Sequence, residues 1–215
     1  MLIFDWDGTL SDSVQRIGYC LRLAAHDQQL PIPSPEAARE IVGLGMREAL
    51  EQLFPGIESD QVTRLRDSYA EHFVREDAEP SPFFPGALEA LEHFREQGFI
   101  LAVATGKSRK GLDRVLAKLE MSDFFHATAC ADETASKPDP LMLSTLLNAQ
   151  SLAPEAAMMI GDTVFDMAMA QEIAMPRLAV SYGAHHATRL LTYDPIACVD
   201  HCEEFKSCIS AHYFG

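Results

Sequence analysis

The 215-residue chain lacks features that would at once assign it to a membrane or a secreted class. No apolar run is long enough to cross a bilayer, and no basic segment with an apolar stretch precedes the first predicted strand. The five cysteines are odd in number and form no paired framework, which favours a reducing compartment. We therefore expect a cytoplasmic protein that has no membrane partner.

Basic residues are also scarce, because 17 Lys and Arg stand against 32 Asp and Glu, a net charge of −15. This balance disfavours nucleic acid and anionic membrane surfaces as partners, since both carry dense negative charge. A small anionic ligand is still possible, because cations within a site outweigh distant charge. With 47% hydrophobic residues, the chain can bury a full core.

The hydrophobic pattern divides the chain into two parts. After a first short strand, residues 14–75 carry only helical patterns, and a cluster of Pro80, Pro82 and Pro85 ends this segment. From residue 86 onward, helical patterns alternate with buried strands. This alternation predicts a parallel sheet covered by helices on both faces.

The predicted elements define one core and one insert. Strands are expected at 99–104, 125–130, 156–160, 177–180 and 196–199, and helices at 14–30, 34–43, 46–53, 60–75, 86–97, 108–120, 140–150, 165–173 and 203–212. We therefore predict an α/β fold with a Rossmann-like parallel sheet core at residues 1–13 and 82–215. Residues 14–81 form an inserted helical domain in this prediction.

Two aspartates follow the first strand at a spacing of two, in the run Phe4-Asp5-Trp6-Asp7-Gly8. Side chains at this spacing on extended chain share one face, so Asp5 and Asp7 are expected to lie close together. Two ionised carboxylates repel each other, and a divalent cation would remove the repulsion. The pair then offers a nucleophile and a proton-transfer group. A turn capped by one aspartate is the structural alternative.

Thr105 and Gly106 follow the next predicted strand. They place a hydroxyl and a glycine amide at a helix start, which suits a phosphate oxygen, although an ordinary N-cap would use the same residues. Gly106-Lys107-Ser108 resembles the end of a P-loop. The glycine that a P-loop requires five positions earlier is Leu101, so nucleotide binding of that kind is not expected.

Charged residues follow two further strands. In Ser136-Lys137-Pro138 the proline stiffens the backbone beside Lys137, whose ammonium could neutralise phosphoryl charge; a solvated lysine is the alternative. Asp162 and Asp166 stand four apart at a helix start and share one face. Helix capping explains one of them, whereas a hard cation such as Mg²⁺ explains both.

Together these stretches resemble the four ordered motifs of the haloacid dehalogenase (HAD) superfamily. The matching residues are Asp5-Trp6-Asp7-Gly8-Thr9, Val103-Ala104-Thr105-Gly106, Ser136-Lys137-Pro138 and Gly161-Asp162-Thr163-Val164-Phe165-Asp166. The helical insert is similar to the small cap domain of that superfamily, and the layout most resembles its phosphoglycolate phosphatase-like branch. The resemblance covers the whole chain and implies a Mg²⁺-dependent phosphatase of small phosphomonoesters.

The resemblance also implies a role for each motif residue. Asp5 would attack phosphorus and become an aspartyl-phosphate, and Asp7 would protonate the leaving alcohol and then activate water. Thr105 and Gly106 would hold phosphate oxygens, and Lys137 would screen charge.

For the metal, the resemblance implies ligation by Asp5, Asp162 and the backbone carbonyl of Asp7. Asp166 would be either a direct ligand or a support for one. The insert would close over the site and exclude bulk water.

Substrate contacts are expected from the insert. Arg47 follows a glycine pair at a helix start and could hold a substrate carboxylate, as in phosphoglycolate, and Arg16 is a second candidate. For both residues, a surface position is the alternative. The partner would be a small phosphorylated molecule, and the protein would be a monomer or a homodimer.

Several rival functions are open to such a fold. A sugar phosphomutase of the β-phosphoglucomutase type and a pyrophosphatase use the same motifs. A 2-haloacid dehalogenase would lack the acid/base at the position of Asp7. A non-catalytic binding protein would be expected to have lost a site residue, and none is missing.

Two groups of cysteine and histidine residues in the last third of the chain are further candidates for a site. Cys198, His201, Cys208 and His212 have spacings that could suggest zinc, but they lack the tight knuckles of closed zinc sites. His185 and His186 follow a strand and are expected to be solvated rather than catalytic.

Overall fold

The computed structural model describes residues 1–76 and 79–214. Its strands are β1 (Leu2–Phe4), β2 (Leu101–Thr105), β3 (Ala127–Cys130), β4 (Met158–Gly161), β5 (Arg177–Val180) and β6 (Cys198–Val199). Its α-helices are α1 (Val14–Asp27), α2 (Pro35–Glu40), α3 (Met46–Leu53), α4 (Ser59–Glu76), α5 (Ala87–Glu96), α6 (Arg109–Lys118), α7 (Leu141–Gln150), α8 (Val164–Glu172), α9 (Ala187–Leu190) and α10 (Phe205–Phe214).

The strands form one parallel sheet in the order β3-β2-β1-β4-β5-β6. Phe4 at the end of β1 pairs with Val103 on one side and with Ile160 on the other. The strand order reverses between β1 and β4, and ligands of open α/β sheets bind at such a switch point. The residues that follow β1 and β4 are therefore the best placed to form a site.

Helices bury both faces of the sheet. Along β1, Leu2 and Phe4 pack into the cluster that contains Phe94 and Phe205, whereas Ile3 packs into a second cluster around Leu146. Strands buried on both faces read as continuous apolar runs, which is the pattern at residues 2–4.

The helical insert consists of α1 to α4, between β1 and α5. It has an apolar cluster of its own, in which Leu21 of α1, Leu50 of α3 and Leu65 of α4 are buried. A second cluster contains Ile17, Phe73 and also Ala184, which lies after β5. The insert is therefore stabilised largely by its own contacts and also packs against the core.

The predicted fold class is confirmed, and the differences concern element ends. β3 begins at Ala127 rather than at residue 125, because the amide of Leu101 donates to the imidazole of His126. Helix α9 was not predicted, since it has only four residues. The predicted limits of the insert and core include residues 77, 78 and 215, which lie outside the described part of the chain.

Candidate active site at the carboxyl edge of the sheet

Three buried carboxylates meet where β1 and β4 end. Asp5 follows β1, Asp162 follows β4, and Asp166 lies in the first turn of α8. Each of the three offers an oxygen, and these oxygens lie within 4.8 Å of one another. The sequence prediction that strand ends bring these residues together agrees with this geometry.

The ammonium of Lys137 lies within this acidic cluster. Its Nζ donates to Oδ1 of Asp5 at 2.5 Å and to Oδ1 of Asp166 at 2.6 Å, and the lysine is 1% exposed. Burial opposes the charge of this ammonium, but the nearby carboxylates of Asp166 and Asp5 outweigh burial and raise the pKa of Lys137. Lys137 is therefore a permanent cation in the site, and the alternative of a solvated lysine is excluded.

Asp162 is held by donors from two other segments. Thr9 Oγ1 donates to its Oδ1 at 2.8 Å, and the amide of Ala184 donates to its Oδ2 at 2.6 Å. Burial and then the charge of Asp166 raise the pKa of Asp162 to about 7. Burial is also the main reason that the pKa of Asp5 lies well above its usual range.

Asp166 combines two roles. Its Oδ2 accepts from the amide of Thr163 at 3.0 Å and from Thr163 Oγ1 at 2.6 Å, which completes a capping box at the start of α8. Its Oδ1 is the oxygen bound to Lys137. Helix capping therefore accounts for Asp166, but it does not account for Asp162.

The cluster fits a divalent cation. If all three carboxylates were ionised beside one ammonium, two negative charges would be uncompensated in a buried site, and such charges are costly unless they are paired. Oδ2 of Asp5 is buried and has no hydrogen-bond partner among the described residues. An oxygen-rich, anionic site of this kind is the type that Mg²⁺ prefers.

Asp7 does not belong to the group of three carboxylates. Its Oδ1 accepts from Ser13 Oγ at 2.5 Å and lies 2.9 Å from Nζ of Lys107. Nζ of Lys107 also lies 5.1 Å from the centre of the Phe73 ring of α4. Asp7 is therefore a separate carboxylate beside the cluster, at the junction between core and insert. The metal contact predicted for Asp7 is that of its backbone carbonyl, and it stays a prediction.

A small cavity opens beside Asp7. Its lining includes Ser13, Phe73, Lys107 and Arg114. The guanidinium carbon of Arg114 lies 5.5 Å from the centre of the Phe73 ring. Two cations thus face the space next to the candidate proton-transfer group.

Thr105 and Gly106 lie under the insert. Thr105 is fully buried, and its Oγ1 accepts from the amide of Lys107 at 3.1 Å, so its hydroxyl hydrogen is left for another acceptor. A Cβ on Gly106 would lie 2.4 Å from the carbonyl oxygen of Leu44 and 2.6 Å from that of Gly43. Only glycine at this position permits the insert to lie so close.

The two arginines predicted to contact substrate lie elsewhere. Arg47 is exposed and pairs with Glu51 at 2.8 Å on the surface of α3. Arg16 is half-buried and donates to the carbonyl oxygen of Glu79 at 3.0 Å. The structure does not bring either residue to the acidic cluster, and their role in substrate binding stays a prediction.

The prediction that His185 is solvated is wrong. His185 is 1% exposed; its Nδ1 accepts from the amide of Val164 at 3.0 Å, and its Nε2 lies 3.2 Å from the carbonyl oxygen of Glu40. Because a backbone amide only donates and a carbonyl only accepts, Nε2 carries the proton. Burial lowers the pKa of His185.

Sequence reasoning missed three residues of the site. Thr9 and Ser13 hold carboxylates, but serine and threonine after a strand also occur in ordinary turns. Lys107 was considered only as part of a P-loop. Its position two residues after Thr105, at the same strand end, is the signal that could have identified it.

Comparison with known proteins is consistent with this geometry. The model of a family described as haloacid dehalogenase-like hydrolase matches residues 2–180. The chain belongs to this family. The predicted class of enzyme is thereby confirmed as a hydrolase.

Individual relatives match over most of their length. A Dickeya dadantii protein named "Probable phosphatase IndB" is 32% identical over 206 residues, which are 93% of this chain and 89% of that protein. A phosphoglycolate phosphatase of Nitrosococcus oceani is 26% identical over 216 residues, 98% and 96% of the two chains. The crystal structure of a hydrolase from Pseudomonas syringae shares the fold with a TM-score of 0.89 at 20% identity, and the match covers 98% of this chain and 97% of that one.

No helix in residues 1–76 and 79–214 is both long and apolar enough to cross a membrane.

Proposed function

We propose that the protein is a Mg²⁺-dependent phosphatase that hydrolyses small phosphomonoesters through an aspartyl-phosphate on Asp5. One observation carries the proposal: Asp5 is buried with an unpartnered oxygen, between a permanent ammonium and two further carboxylates. A buried carboxylate with a free oxygen is costly in a purely structural role. The phosphatase names of the relatives support the same reaction class.

The first step transfers the phosphoryl group to the protein. A carboxylate oxygen of Asp5 forms a bond to phosphorus, and the bond from phosphorus to the ester oxygen breaks. Asp7 supplies the proton that the leaving alkoxide takes up. The bonds from Ser13 and Lys107 to Asp7 fix the direction in which this carboxyl group points.

The second step releases phosphate. Asp7 removes a proton from water, the oxygen of that water attacks phosphorus, and the bond to Asp5 breaks. Thr105, the amide of Gly106 and Lys137 hold or screen the phosphate oxygens in both steps. Bound Mg²⁺ would supply further positive charge against those oxygens.

Asp5, Asp162 and the backbone carbonyl of Asp7 would hold the ion. Asp166 would support the site through its contact with Lys137 and its cap on α8.

The two cations that line the cavity beside Asp7 favour a substrate whose leaving group carries a second negative charge. Lys107 and Arg114 line this cavity of about 10 Å³, and both lie over the ring of Phe73. A phosphorylated hydroxy acid such as phosphoglycolate has a carboxylate at this place. The sequence-based assignment of Arg47 and Arg16 to the same task remains a competing proposal.

The helical domain, proposed at residues 14–81, acts as a cap over a small phosphorylated molecule. Gly43 and Leu44 lie directly over Gly106, which supports the exclusion of bulk water during phosphoryl transfer. Neither nucleic acid nor a membrane is proposed as a partner, and the protein would act in the cytoplasm as a monomer or a homodimer.

The decisive experiment measures phosphate release from phosphoglycolate, other phosphorylated hydroxy acids, sugar phosphates, nucleotides and pyrophosphate, with and without Mg²⁺. We expect Mg²⁺-dependent release that is fastest for carboxylate-bearing esters. Release from pyrophosphate alone would instead assign a pyrophosphatase. Interconversion of sugar phosphates without net release would assign a mutase.

A further inference from the structure

Residues 183–185 form a loop that contacts Asp162 on one side. The amide of Ala184 donates to Asp162 Oδ2 at 2.6 Å, and the amide of His185 donates to the backbone carbonyl of Asp162 at 3.2 Å. A Cβ on Gly183 would lie 2.2 Å from Cβ of Asp162, so the loop can lie this close to Asp162 only because residue 183 is glycine. The 183–185 loop therefore sets the position of this carboxylate.

The helical insert contacts the same loop on its other side. Nε of Arg39, in α2, donates to the carbonyl oxygen of Ala184 at 2.7 Å, and its Nη2 donates to the carbonyl oxygen of Gly183. The side chain of Ala184 packs with Ile17 and Val42 of the insert. The insert thus holds the loop with both polar and apolar contacts.

Arg39 and Asp162 bind opposite ends of one peptide group. The carbonyl of Gly183 accepts from Arg39, and the amide of Ala184, in the same peptide plane, donates to Asp162. Because a peptide group is planar and rigid, fixing its carbonyl also fixes the direction of its N–H. A cation on the carbonyl further polarises the group and strengthens the hydrogen bond from its N–H.

We propose that Arg39 is a positioning residue that couples the seating of the insert to the metal affinity of the acidic cluster. With the insert in place, Arg39 orients the peptide that holds the carboxyl group of Asp162 in position. Coupling of this kind is reciprocal, so an ion bound at Asp162 stabilises the contact between insert and core by the same free energy. The inference rests on the proposed function, because it takes Asp162 as a Mg²⁺ ligand.

The test titrates Mg²⁺ into the protein by isothermal titration calorimetry, in the absence of substrate. We expect Arg39→Ala to raise the Kd for Mg²⁺ about tenfold, a typical size for coupling between sites. The Kd of Arg39→Lys should lie between those of the wild type and Arg39→Ala, because one ammonium cannot replace both hydrogen bonds of the guanidinium. Arg64→Ala is the matched control, since Arg64 is an exposed insert arginine that pairs with Asp60; its Kd should equal that of the wild type.

A second measurement separates coupling from general damage to the fold. Mg²⁺ should slow hydrogen exchange of the α1 to α4 amides in the wild type but not in Arg39→Ala. The activity lost in Arg39→Ala should return as Mg²⁺ is raised to saturation, whereas misfolding would lower activity at every concentration. An unchanged Kd in Arg39→Ala, or an equal rise in Arg64→Ala, overturns the coupling.

The outcomes also distinguish the two proposals. Mg²⁺ affinity that depends on Arg39, without hydrolysis of any ester, overturns the proposed function alone. Hydrolysis with a Mg²⁺ affinity that is independent of Arg39 overturns the coupling alone. A wild-type protein that binds no Mg²⁺ overturns both.

Discussion

The acidic cluster of the core and the helical insert are built on opposite electrostatic principles. In the core, Lys137 and its partners Asp5 and Asp166 are at most 1% exposed. In the insert, pairs such as Arg47–Glu51 lie at the surface, with side chains 65% and 48% exposed. Removing one partner of a buried pair costs several kcal/mol, whereas an exposed pair contributes less than about 1 kcal/mol.

This difference assigns different tasks to the two regions. In the proposed function, the buried cluster of the core carries the chemistry. The insert meets the core through an apolar cluster around Ala184 and through polar contacts, among them the amide of Gly45 on Ser136 Oγ at 2.8 Å and those of Arg39. Contacts of this kind can open and reform, which a cap requires.

The largest expected effect tests the core alone. Asp5→Asn removes the nucleophile and should lower kcat by at least about 10⁴-fold, as loss of a covalent nucleophile does in other enzymes. Steady-state phosphate release measures the loss, and Asp67→Asn, at an exposed insert residue bonded to Arg66, is the control. Wild-type turnover by Asp5→Asn would refute the aspartyl-phosphate.

The next effect is on stability. Lys137→Met leaves Asp5 and Asp166 buried without their ammonium and should lower the free energy of unfolding by about 3–5 kcal/mol in metal-free buffer. Urea denaturation measures this change. Lys110→Met, at an exposed residue of α6, should change it by less than about 0.5 kcal/mol. Equal midpoints for the two variants would show that the buried ammonium is not needed.

The pH dependence of metal-free stability follows from the raised pKa of Asp162, about 7. Between about pH 4 and that value, the folded protein binds more protons than the unfolded chain. The free energy of unfolding should therefore fall as pH rises through this window, by at most about 1.4 kcal/mol per pH unit for one proton.

Urea midpoints at several pH values, with the metal chelated, measure this slope. Asp162→Asn should reduce it, and Mg²⁺ should reverse it in the wild type, because the ion binds the ionised carboxylate. A slope that Asp162→Asn leaves unchanged would assign the proton uptake to other groups.

A pair of glycine variants tests the junction. The Cβ in Gly106→Ala would collide with the carbonyl oxygens of Gly43 and Leu44, and a shift of about 1 Å at a site costs about 100-fold in kcat/KM. In Gly18→Ala, within α1, the added Cβ would lie 3.6 Å from that of Ala38, an ordinary contact. This control should keep its activity and gain about 0.5–1 kcal/mol in stability. Equal activities would mean that close seating of the insert is not required.

The smallest expected effect is in the insert. Arg47→Ala removes an exposed i,i+4 pair with Glu51 and should cost about 0.3–0.5 kcal/mol in thermal or urea unfolding. The KM for phosphoglycolate of Arg47→Ala and of Lys107→Met then identifies the anion-binding region. If KM rises only in Lys107→Met, the anion-binding region lies in the core. If KM rises only in Arg47→Ala, the region lies in the insert.

Particular residues show how far sequence reasoning reached. The residues after β1, β2 and β4 were predicted to lie close together, because the carboxyl ends of parallel strands share one edge. Lys137 was predicted as a buried ammonium beside a carboxylate, and the structure buries it against Asp5 and Asp166, while its role in the site stays a prediction. The histidine at 185 was misjudged because burial depends on which segment covers a loop, and Glu40 and Phe165 cover this one.

The sequence by itself thus determined the two carboxylate pairs, at spacings of two and four, and the sheet with its inserted helices. These features follow from strand and helix periodicity, which acts over a few residues. Only the tertiary structure decided that Arg39 contacts Ala184, 145 positions away along the chain, whose amide holds Asp162. The same is true of the contact between Lys107 and Asp7. Such contacts depend on how the insert is seated on the core, and no periodicity of the sequence encodes that seating.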